Sequence, residues 1–194
     1  IIGTGNYHEG TAKIYTDYHL MTSDRRLAKE ARKVFQFIES PYKQYNFKHL
    51  FVSPNTTRSN IERLINREIN HARDGKEAKF WVKINSISDH SMIDKLYEAS
   101  DAGVKIRMIV RGIFCLDLNN SKAHNISAIS VVGRFLEHTR AFCFHNAGKP
   151  EYYISSADWM GRNLNRRVEV TAPIYDESIP VSYTHLTLPT RYRV

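Results

Sequence analysis

The sequence predicts an α/β domain in which helices pack on the faces of a largely parallel or mixed β-sheet. Two observations support this prediction. Between residues 49 and 110, strand-like and helix-like segments alternate in the order strand, helix, strand, helix, strand. From residue 126 to residue 174 the pattern changes to four short strand candidates separated by turn-forming residues. The chain therefore combines an alternating first part with a strand-rich second part.

The first predicted element is a helix over residues 23–40. Ser23 or Asp24 supplies its N-cap, and Pro41 ends it. The apolar positions that follow the helical period are Leu27, Ala31, Val34, Phe35 and Ile38. A tract with proline and tyrosine follows and is typical of a linker.

A short strand and a second helix come next. The strand is the apolar run His49–Val52, which Pro54 stops. The helix starts at a capping box formed by Ser59 and Glu62, and Gly75 closes it. Its apolar face consists of Ile61, Leu64, Ile65, Ile69 and Ala72.

The alternation continues with a strand at 78–84, a helix at 91–102 that stops at Gly103, and a strand at 105–110. The four later strand candidates are Ile126–Val132, Ala141–Phe144, Tyr152–Ser155 and Val168–Ile174.

The composition divides the chain into three parts. A boundary near residue 46 separates residues 1–45, the end of one domain with a connecting helix, from residues 46–177, a second domain. Residues 181–194 break the preceding pattern and are interpreted as a non-native, adaptor-derived tail. The chain begins without a methionine or a signal-like segment, which indicates an internal fragment.

The charge balance narrows the class of partner. Lysine and arginine outnumber aspartate and glutamate by 28 to 20, which gives a formal charge of +8. This favours anionic partners such as nucleic acid, nucleotides, polyphosphate or acidic lipid headgroups. No apolar run approaches the roughly 18 residues that a membrane span needs. Cys115 and Cys143 lack CxxC spacing and are expected to be reduced, buried thiols of a cytosolic protein.

The richest segment for chemistry lies between Gly133 and Arg167. His138 and Arg140 are two residues apart next to an apolar strand, so both side chains are expected on the same face. Arginine binds phosphate with two parallel hydrogen bonds, and histidine can act as nucleophile, acid or base near neutral pH. A lone histidine after a carboxylate is more often a surface or structural residue, so its neighbours have to decide the role.

Further arginines stand at strand ends. Arg111 follows the strand at 105–110, and ligands of open α/β sheets gather beyond the carboxyl ends of strands. Arg111 is therefore a phosphate-binding candidate, with a solvated strand-end charge as the alternative. Arg166 and Arg167 adjoin the last strand, whose alternation would send one arginine inward and the other to solvent.

Two short turns resemble each other. They are Gly3-Thr4-Gly5-Asn6 and Ser155-Ser156-Ala157-Asp158. Turns of this kind can offer backbone N–H groups and a hydroxyl to an anion. As an internal repeat they suggest two related half-sites.

Longer blocks point to a family. In chain order they are GTGNY with TAKIYTD, LYEASDAGVKIRMIVRGIFCL, SVVGRFLEHTR and ISSADWMGRNLNRRVEV, spread over residues 2–176. Together they closely resemble the carboxyl-terminal half of bacterial polyphosphate kinases. The resemblance implies reversible transfer of the terminal phosphate of ATP to inorganic polyphosphate. It also implies a phospholipase D-like mixed sheet flanked by helices, preceded by the tail of a second similar domain.

The resemblance also implies roles for individual residues. Tyr15, Arg111 and His138 match positions that bind ATP, and His138 binds phosphate or acts as acid or base. Arg167 and Arg140 match phosphate-binding positions. The histidine that family members phosphorylate is expected upstream of residue 1, and the ligands of the Mg²⁺ cofactor are expected there as well. No metal site is therefore assigned in this chain.

The partners that the resemblance implies are ATP or ADP and polyphosphate, in a cytoplasmic enzyme that forms a homo-oligomer in full length. Nucleic acid and a transmembrane segment are not expected, and peripheral membrane association stays open. Two other readings remain. One is a basic nucleic-acid-binding module, favoured by the charge and the eleven tyrosines. The other is a phospholipase D-like phosphodiesterase. Arg140 is evidence against it, because that class has a lysine at this position.

Overall fold

A seven-stranded mixed β-sheet forms the centre of the structure, a computed structural model that describes residues 1–176 and residue 179. Its strand order is β4-β11-β10-β9-β5-β6-β7. The strands of the chain are β1 Ile2–Gly3, β2 Tyr15–Thr16, β3 His19–Leu20, β4 Phe51–Val52, β5 Lys79–Ile84, β6 Lys105–Val110, β7 Ile126–Ile129, β8 Leu136–Glu137, β9 Arg140–Phe144, β10 Glu151–Ser155 and β11 Val170–Ile174. The helices are α1 Glu9–Ala12, α2 Arg25–Glu39, α3 Thr57–Arg73, α4 His90–Asp101 and α5 Gly161–Asn165, with 3-10 turns at Ser121–Ala123 and Asn146–Gly148.

The direction of the strands follows the two parts predicted from the sequence. β5, β6 and β7 are parallel, because α4 and the 3-10 turn carry the chain back between them. β9, β10, β11 and β4 pair antiparallel in that order, and β9 also pairs antiparallel with β5. Two small sheets stand apart, β1 with β3 and β2 with β8. The predicted α/β class with a mixed sheet flanked by helices is confirmed.

Helices cover both faces of the sheet. Alternate residues of a strand point to opposite faces, so Phe51 and Tyr153 belong to one core while their neighbours Val52 and Ile154 belong to the other. α3 and α4 bury one apolar face on the first core, and α2 packs on the second. Among the described residues, no helix is long and apolar enough to cross a bilayer.

Several predicted boundaries are confirmed and some are wrong. Asp24 caps α2, and the strand predicted at 105–110 matches β6. Gly75 and Gly103 end α3 and α4 with φ of +72° and +95°, which an L side chain rarely adopts.

The capping box predicted at Ser59 is wrong. α3 begins at Thr57, and the Ser59 hydroxyl donates back to the carbonyl of Thr56. The packing of α2 also differs from the prediction, because Phe37 is buried whereas Phe35 and Ile38 are mostly exposed. Cys143 is buried as expected, but Cys115 is exposed. The tail predicted at residues 181–194 lies outside the described residues.

The Glu30 carboxylate fastens α2 to the segment that enters the main sheet. It is 4 % exposed and accepts hydrogen bonds from the backbone nitrogens of Lys48, His49 and Leu50 at 2.7, 2.9 and 2.8 Å. Burial alone would raise the pKa of Glu30, but these donors outweigh it and hold the pKa below its ordinary value. The boundary predicted near residue 46 is therefore bridged by a buried carboxylate.

Replacing Glu30 with alanine is expected to lower the free energy of unfolding of this chain by roughly 1–3 kcal/mol, because buried backbone donors lose their acceptor. Urea denaturation at neutral pH measures this loss, with the exposed Glu39→Ala on the same helix as control. A depressed pKa means that the contribution is present above the unfolded pKa and disappears as pH falls through the folded one. The difference between the Glu30 variant and the parent should therefore shrink in acid. Equal loss in both variants would show that the carboxylate does not fasten α2.

Candidate functional site

His138 lies where the two parts of the chain meet. It follows β8, which pairs in parallel with β2 from the amino-terminal part, and its backbone nitrogen donates to the carbonyl of Thr16 at 3.1 Å. The Nδ1 atom is 2.9 Å from Oδ1 of Asp17. The ring also contacts the Tyr15 ring, with 4.7 Å between centroids. The structure thus brings together two of the predicted ATP-binding residues, Tyr15 and His138.

The surroundings of His138 fix its protonation. Burial and the positive charge of Arg140 hold the pKa of His138 below its ordinary value, against the opposing effect of Asp17. The imidazole is therefore neutral at neutral pH. Because the Asp17 carboxylate can only accept, the ring proton sits on Nδ1, and Nε2 carries the free lone pair.

Arg140 is held from several sides within the protein. It donates from Nε and Nη2 to the two oxygens of Asp158 at 3.2 and 2.9 Å. Its Nη1 donates to the carbonyls of Thr4 and His138 at 2.8 and 3.1 Å. Asp158 also accepts from the backbone nitrogens of Asn85 and Ser86. Direct phosphate binding by Arg140, which stays a prediction, would require this buried pair to open.

Arg111 stands at the carboxyl end of β6, as predicted, and is half-buried. Its guanidinium carbon is 5.8 Å from the centroid of the Tyr15 ring, and its Nε donates to Oδ1 of Asn85 at 3.2 Å. Arg111 forms no ion pair within residues 1–176. Its positive charge is thus available next to Tyr15 and His138.

Arg167 stands in the segment between α5 and β11. β11 begins at Val170, so neither Arg166 nor Arg167 belongs to the strand, and the predicted alternation between them is wrong. Both side chains are exposed. In the described part of the chain, no hydrogen bond joins the Arg167 side chain to His138, Arg140 or Arg111. Its role as a phosphate ligand stays a prediction.

The two predicted turns share a hydrogen-bond pattern that extends beyond them. The backbone nitrogen of Thr4 donates to the carbonyl of Tyr18, and the backbone nitrogen of Tyr18 donates to the hydroxyl of Thr4. Ser156 and Val170 form the same two hydrogen bonds, and in both pairs the partners are 14 residues apart. The hydroxyl of Thr4 donates to Asp17 at 2.8 Å, and the hydroxyl of Ser156 donates to Glu169, each 13 residues on. The structure therefore shows a repeat in which Asp17 and Glu169 are equivalent.

The two turns are visible in the sequence, but their carboxylate partners Asp17 and Glu169 were not predicted from it. Each carboxylate comes 13 residues after the second residue of its turn, which is Thr4 in one turn and Ser156 in the other. This equal spacing is the signal in the sequence that could have found them. Asp17 orients His138, whereas Glu169 bonds to Ser156 and to Asn163 Nδ2 at 2.7 Å. Among the described residues, no histidine contacts Glu169. Gly5 leaves room for Asp17, since an added Cβ would overlap the Asp17 carboxylate.

A cavity of about 680 Å³ lies at the start of β10, near Glu151, whereas the end of β10 at Ser155 pairs with Arg140. The cavity shares no lining residue with the His138 cluster. Arg67, one of its cations, already pairs with Glu151 at 2.8 Å. Within residues 1–176 and 179, no three His, Cys, Asp or Glu side chains are placed to hold a metal ion.

The geometry suits a ligand with a phosphate chain. Arg111 offers a positive charge, His138 offers Nε2 as a base or, once protonated, as a donor, and Tyr15 offers an aromatic face between them. The buried Arg140–Asp158 pair keeps the His138 backbone in place. These residues can bind and orient an anion.

Comparison with known proteins gives matches along most of the chain. The sequence model described as "Polyphosphate kinase C-terminal domain 2" matches residues 50–187, and "Polyphosphate kinase C-terminal domain 1" matches residues 1–44. The polyphosphate kinase of Vibrio cholerae is 51 % identical over 179 residues, which cover 92 % of this chain and 26 % of the relative. The Escherichia coli K12 polyphosphate kinase is 45 % identical over 176 residues, which cover 90 % of this chain and 26 % of the relative. The chain spans about a quarter of the length of these curated relatives.

Solved structures agree on the fold. A polyphosphate kinase from Porphyromonas gingivalis matches with a TM-score of 0.91 and 38 % identity, covering 95 % of this chain and 28 % of that one. NucT from Helicobacter pylori, at 14 % identity and a TM-score of 0.51, covers 71 % of this chain and 91 % of that one and shares the fold alone. The predicted mixed sheet flanked by helices therefore matches the fold of a polyphosphate kinase.

Proposed function

Because the chain belongs to the polyphosphate kinase family, we propose that it contributes one half of a site that reversibly transfers the terminal phosphate of ATP to inorganic polyphosphate. The observation that carries the proposal is the placement of His138, fixed by Asp17, at the same Tyr15 ring as Arg111, which forms no ion pair among the described residues. A phosphate chain is the ligand that such a pair can bind and polarise.

The proposed reaction has two balanced steps. A histidine upstream of this chain attacks the γ-phosphorus of ATP, a new N–P bond forms, and the bond to the bridging oxygen breaks with ADP taking the electron pair. A terminal oxygen of polyphosphate then attacks the same phosphorus, and the N–P electron pair returns to the histidine. The reverse sequence makes ATP from ADP.

In this reaction the residues of the chain bind and orient the substrate. Arg111 binds the phosphate oxygens as negative charge moves toward ADP, and Arg167 reaches them from its exposed loop. His138 contacts the phosphate through Nε2, and Tyr15 supports the adenine. Arg140 acts from behind the site by holding the carbonyl of His138 in place.

The repeat suggests a role for Glu169. Asp17 comes from the amino-terminal part and orients the histidine of the second part. By the same relation, Glu169 would orient the phosphorylated histidine of the first half, which would complete a pair of mirrored carboxylate and histidine contacts.

Mg²⁺ would neutralise charge on the phosphates when bound. The described residues hold no cluster that fits the ion, so we assign it no ligand here. The partners proposed for the complete enzyme are ATP or ADP and polyphosphate, in the cytoplasm and in a homo-oligomer. Nucleic-acid binding and diester hydrolysis are not favoured, since the curated relatives are named polyphosphate kinase.

The experiment uses a complete enzyme that contains this segment, incubated with ATP and Mg²⁺. Electrophoresis should show a ladder of polyphosphate chains, with release of one ADP for each phosphate transferred. Hydrolysis of a phosphodiester substrate without polyphosphate formation, or a preference for single-stranded DNA over polyphosphate in filter binding, would overturn the proposal.

Binding of ATP is expected to take up a proton at His138. The pKa of His138 lies below its ordinary value in the free protein, so the ring is neutral at neutral pH. The negative phosphate chain favours the charged ring and raises the pKa of His138. At a pH between the pKa of the free protein and the pKa of the ATP complex, binding therefore takes up a proton. Calorimetry in buffers of different ionisation enthalpy measures the uptake. Identical uptake in His138→Gln would assign the proton to another group.

A further inference from the structure

Two arginines border the site, and their partners differ in charge. Arg140 is paired with the carboxylate of Asp158 through two hydrogen bonds. Arg111 instead donates its Nε to the neutral amide oxygen of Asn85 at 3.2 Å. A carboxylate cancels the charge of a guanidinium, whereas an amide oxygen directs the guanidinium and leaves its charge in place. The difference separates an arginine that holds the fold from one that can hold an anion.

Asn85 is itself fixed on both sides. It follows β5 as Arg111 follows β6, and the last residues of the two strands, Ile84 and Val110, are paired. The Asn85 backbone nitrogen donates to Asp158 at 2.7 Å, and its carbonyl accepts from Gly112 at 2.7 Å. Gly112 comes so close that an added Cβ would lie 3.1 Å from this carbonyl oxygen. The amide oxygen of Asn85 is therefore a rigid reference point at the strand ends.

The amide of Asn85 also has an unexplained cost. The residue is 4 % exposed, and its Nδ2 is buried without a hydrogen-bond partner among the described residues. The amide cannot be flipped, because a donor would then face the Nε–H of Arg111. An unpartnered buried amide nitrogen costs free energy, which indicates that the position serves the oxygen.

The hydrogen bond to Asn85 uses only the Nε atom of Arg111. With Nε bonded to Asn85, the terminal nitrogens Nη1 and Nη2 have no hydrogen-bond partner among the described residues and can form two parallel bonds to a phosphate. The guanidinium carbon also lies 5.8 Å from the centroid of the Tyr15 ring. The orientation of the guanidinium plane is therefore restricted both by Asn85 and by Tyr15.

We propose that Asn85 is a positioning residue, which orients Arg111 toward the phosphates of the nucleotide without neutralising it. This inference rests on the proposed function and adds a residue to it. Asn85 acts through Arg111 and touches no substrate atom itself.

The test compares two variants in a complete enzyme that contains this segment. Asn85→Asp keeps size and acceptor but adds a negative charge, and it should raise the KM for ATP about 10- to 100-fold, the range of a charge-assisted contact. Asn85→Ala removes the acceptor and, unlike Asn85→Asp, places no buried negative charge beside Asp158. It should raise the KM for ATP about 5-fold. The kcat at saturating ATP should fall less than KM rises in both.

A double-mutant cycle separates positioning from general support of the fold. In an Arg111→Ala background, either change at Asn85 should alter KM by less than about 2-fold, because its target is gone. The same factor with and without Arg111, or parental KM in both single variants, overturns the inference.

Failure of this inference differs from failure of the proposed function. If the parent enzyme makes polyphosphate but the Asn85 variants keep the parental KM, only the role of Asn85 is lost. If the parent makes no polyphosphate from ATP, the proposed function itself fails.

Discussion

Replacing His138 with alanine in a complete enzyme is expected to lower polyphosphate synthesis at least ~100-fold, the scale of a lost acid, base or phosphate-binding group. His138 is fixed by Asp17 at 2.9 Å, and its free Nε2 is the atom that would meet the phosphate chain. The rate of polyphosphate formation at saturating ATP is the measurement. Both kcat and kcat/KM should fall, since the contact strengthens as charge moves toward ADP.

A matched histidine controls for the loss of a ring. His124 is exposed, its Nδ1 contacts the carbonyl of Ser121, and it precedes β7 near the start of β6, whereas Arg111 follows the end of β6. His124→Ala should retain parental synthesis. Parental turnover in His138→Ala would remove His138 from the mechanism.

The second large effect is on stability. Replacing Asp158 with alanine is expected to lower the free energy of unfolding of this chain by roughly 3–5 kcal/mol, the cost of leaving a buried charge without its partner. Arg140 would lose both bonds to the carboxylate, and the backbone nitrogens of Asn85 and Ser86 would lose their acceptor.

Chemical denaturation at neutral pH measures this loss. The exposed Asp94 on α4 is the matched control, and Asp94→Ala should change stability by no more than about 0.5 kcal/mol. Similar small changes in both variants would mean that the Arg140–Asp158 pair does not support the strand ends.

The regular elements could be predicted because each depends on local signals. The bounds predicted for β6 and the helix stop predicted at Gly103 match the structure, and of the two residues offered as the N-cap of α2 it is Asp24 that caps the helix. The choice of buried residues on α2 was less secure, because several apolar residues lie side by side there. Phe37 packs on the core while Phe35 faces outward. Periodicity alone gives a stripe, and the neighbouring segment decides its centre.

The site was predictable only in part, because its contacts join residues far apart in the chain. His138 and Asp17 are 121 residues apart, and Arg140 and Thr4 are 136 apart. Residue type also hides the role of an arginine. Arg140 and Arg111 were both phosphate candidates, and only the structure shows that one faces a carboxylate and the other an amide.

The short strands β2 and β8 could not be found from the sequence either. Each has two residues, and each forms only by pairing with the other. Their pairing brings Tyr15 to His138, so the sequence pattern of neither strand contains the contact that makes the site.

The central claim is that this chain binds and orients the phosphates while another histidine becomes phosphorylated. A complete enzyme should therefore be labelled with ATP carrying ³²P at the γ position and then cleaved into peptides. We expect an acid-labile, alkali-stable label on a histidine upstream of Gly3, with none on the peptide that contains His138. Label on His138 itself would contradict the account.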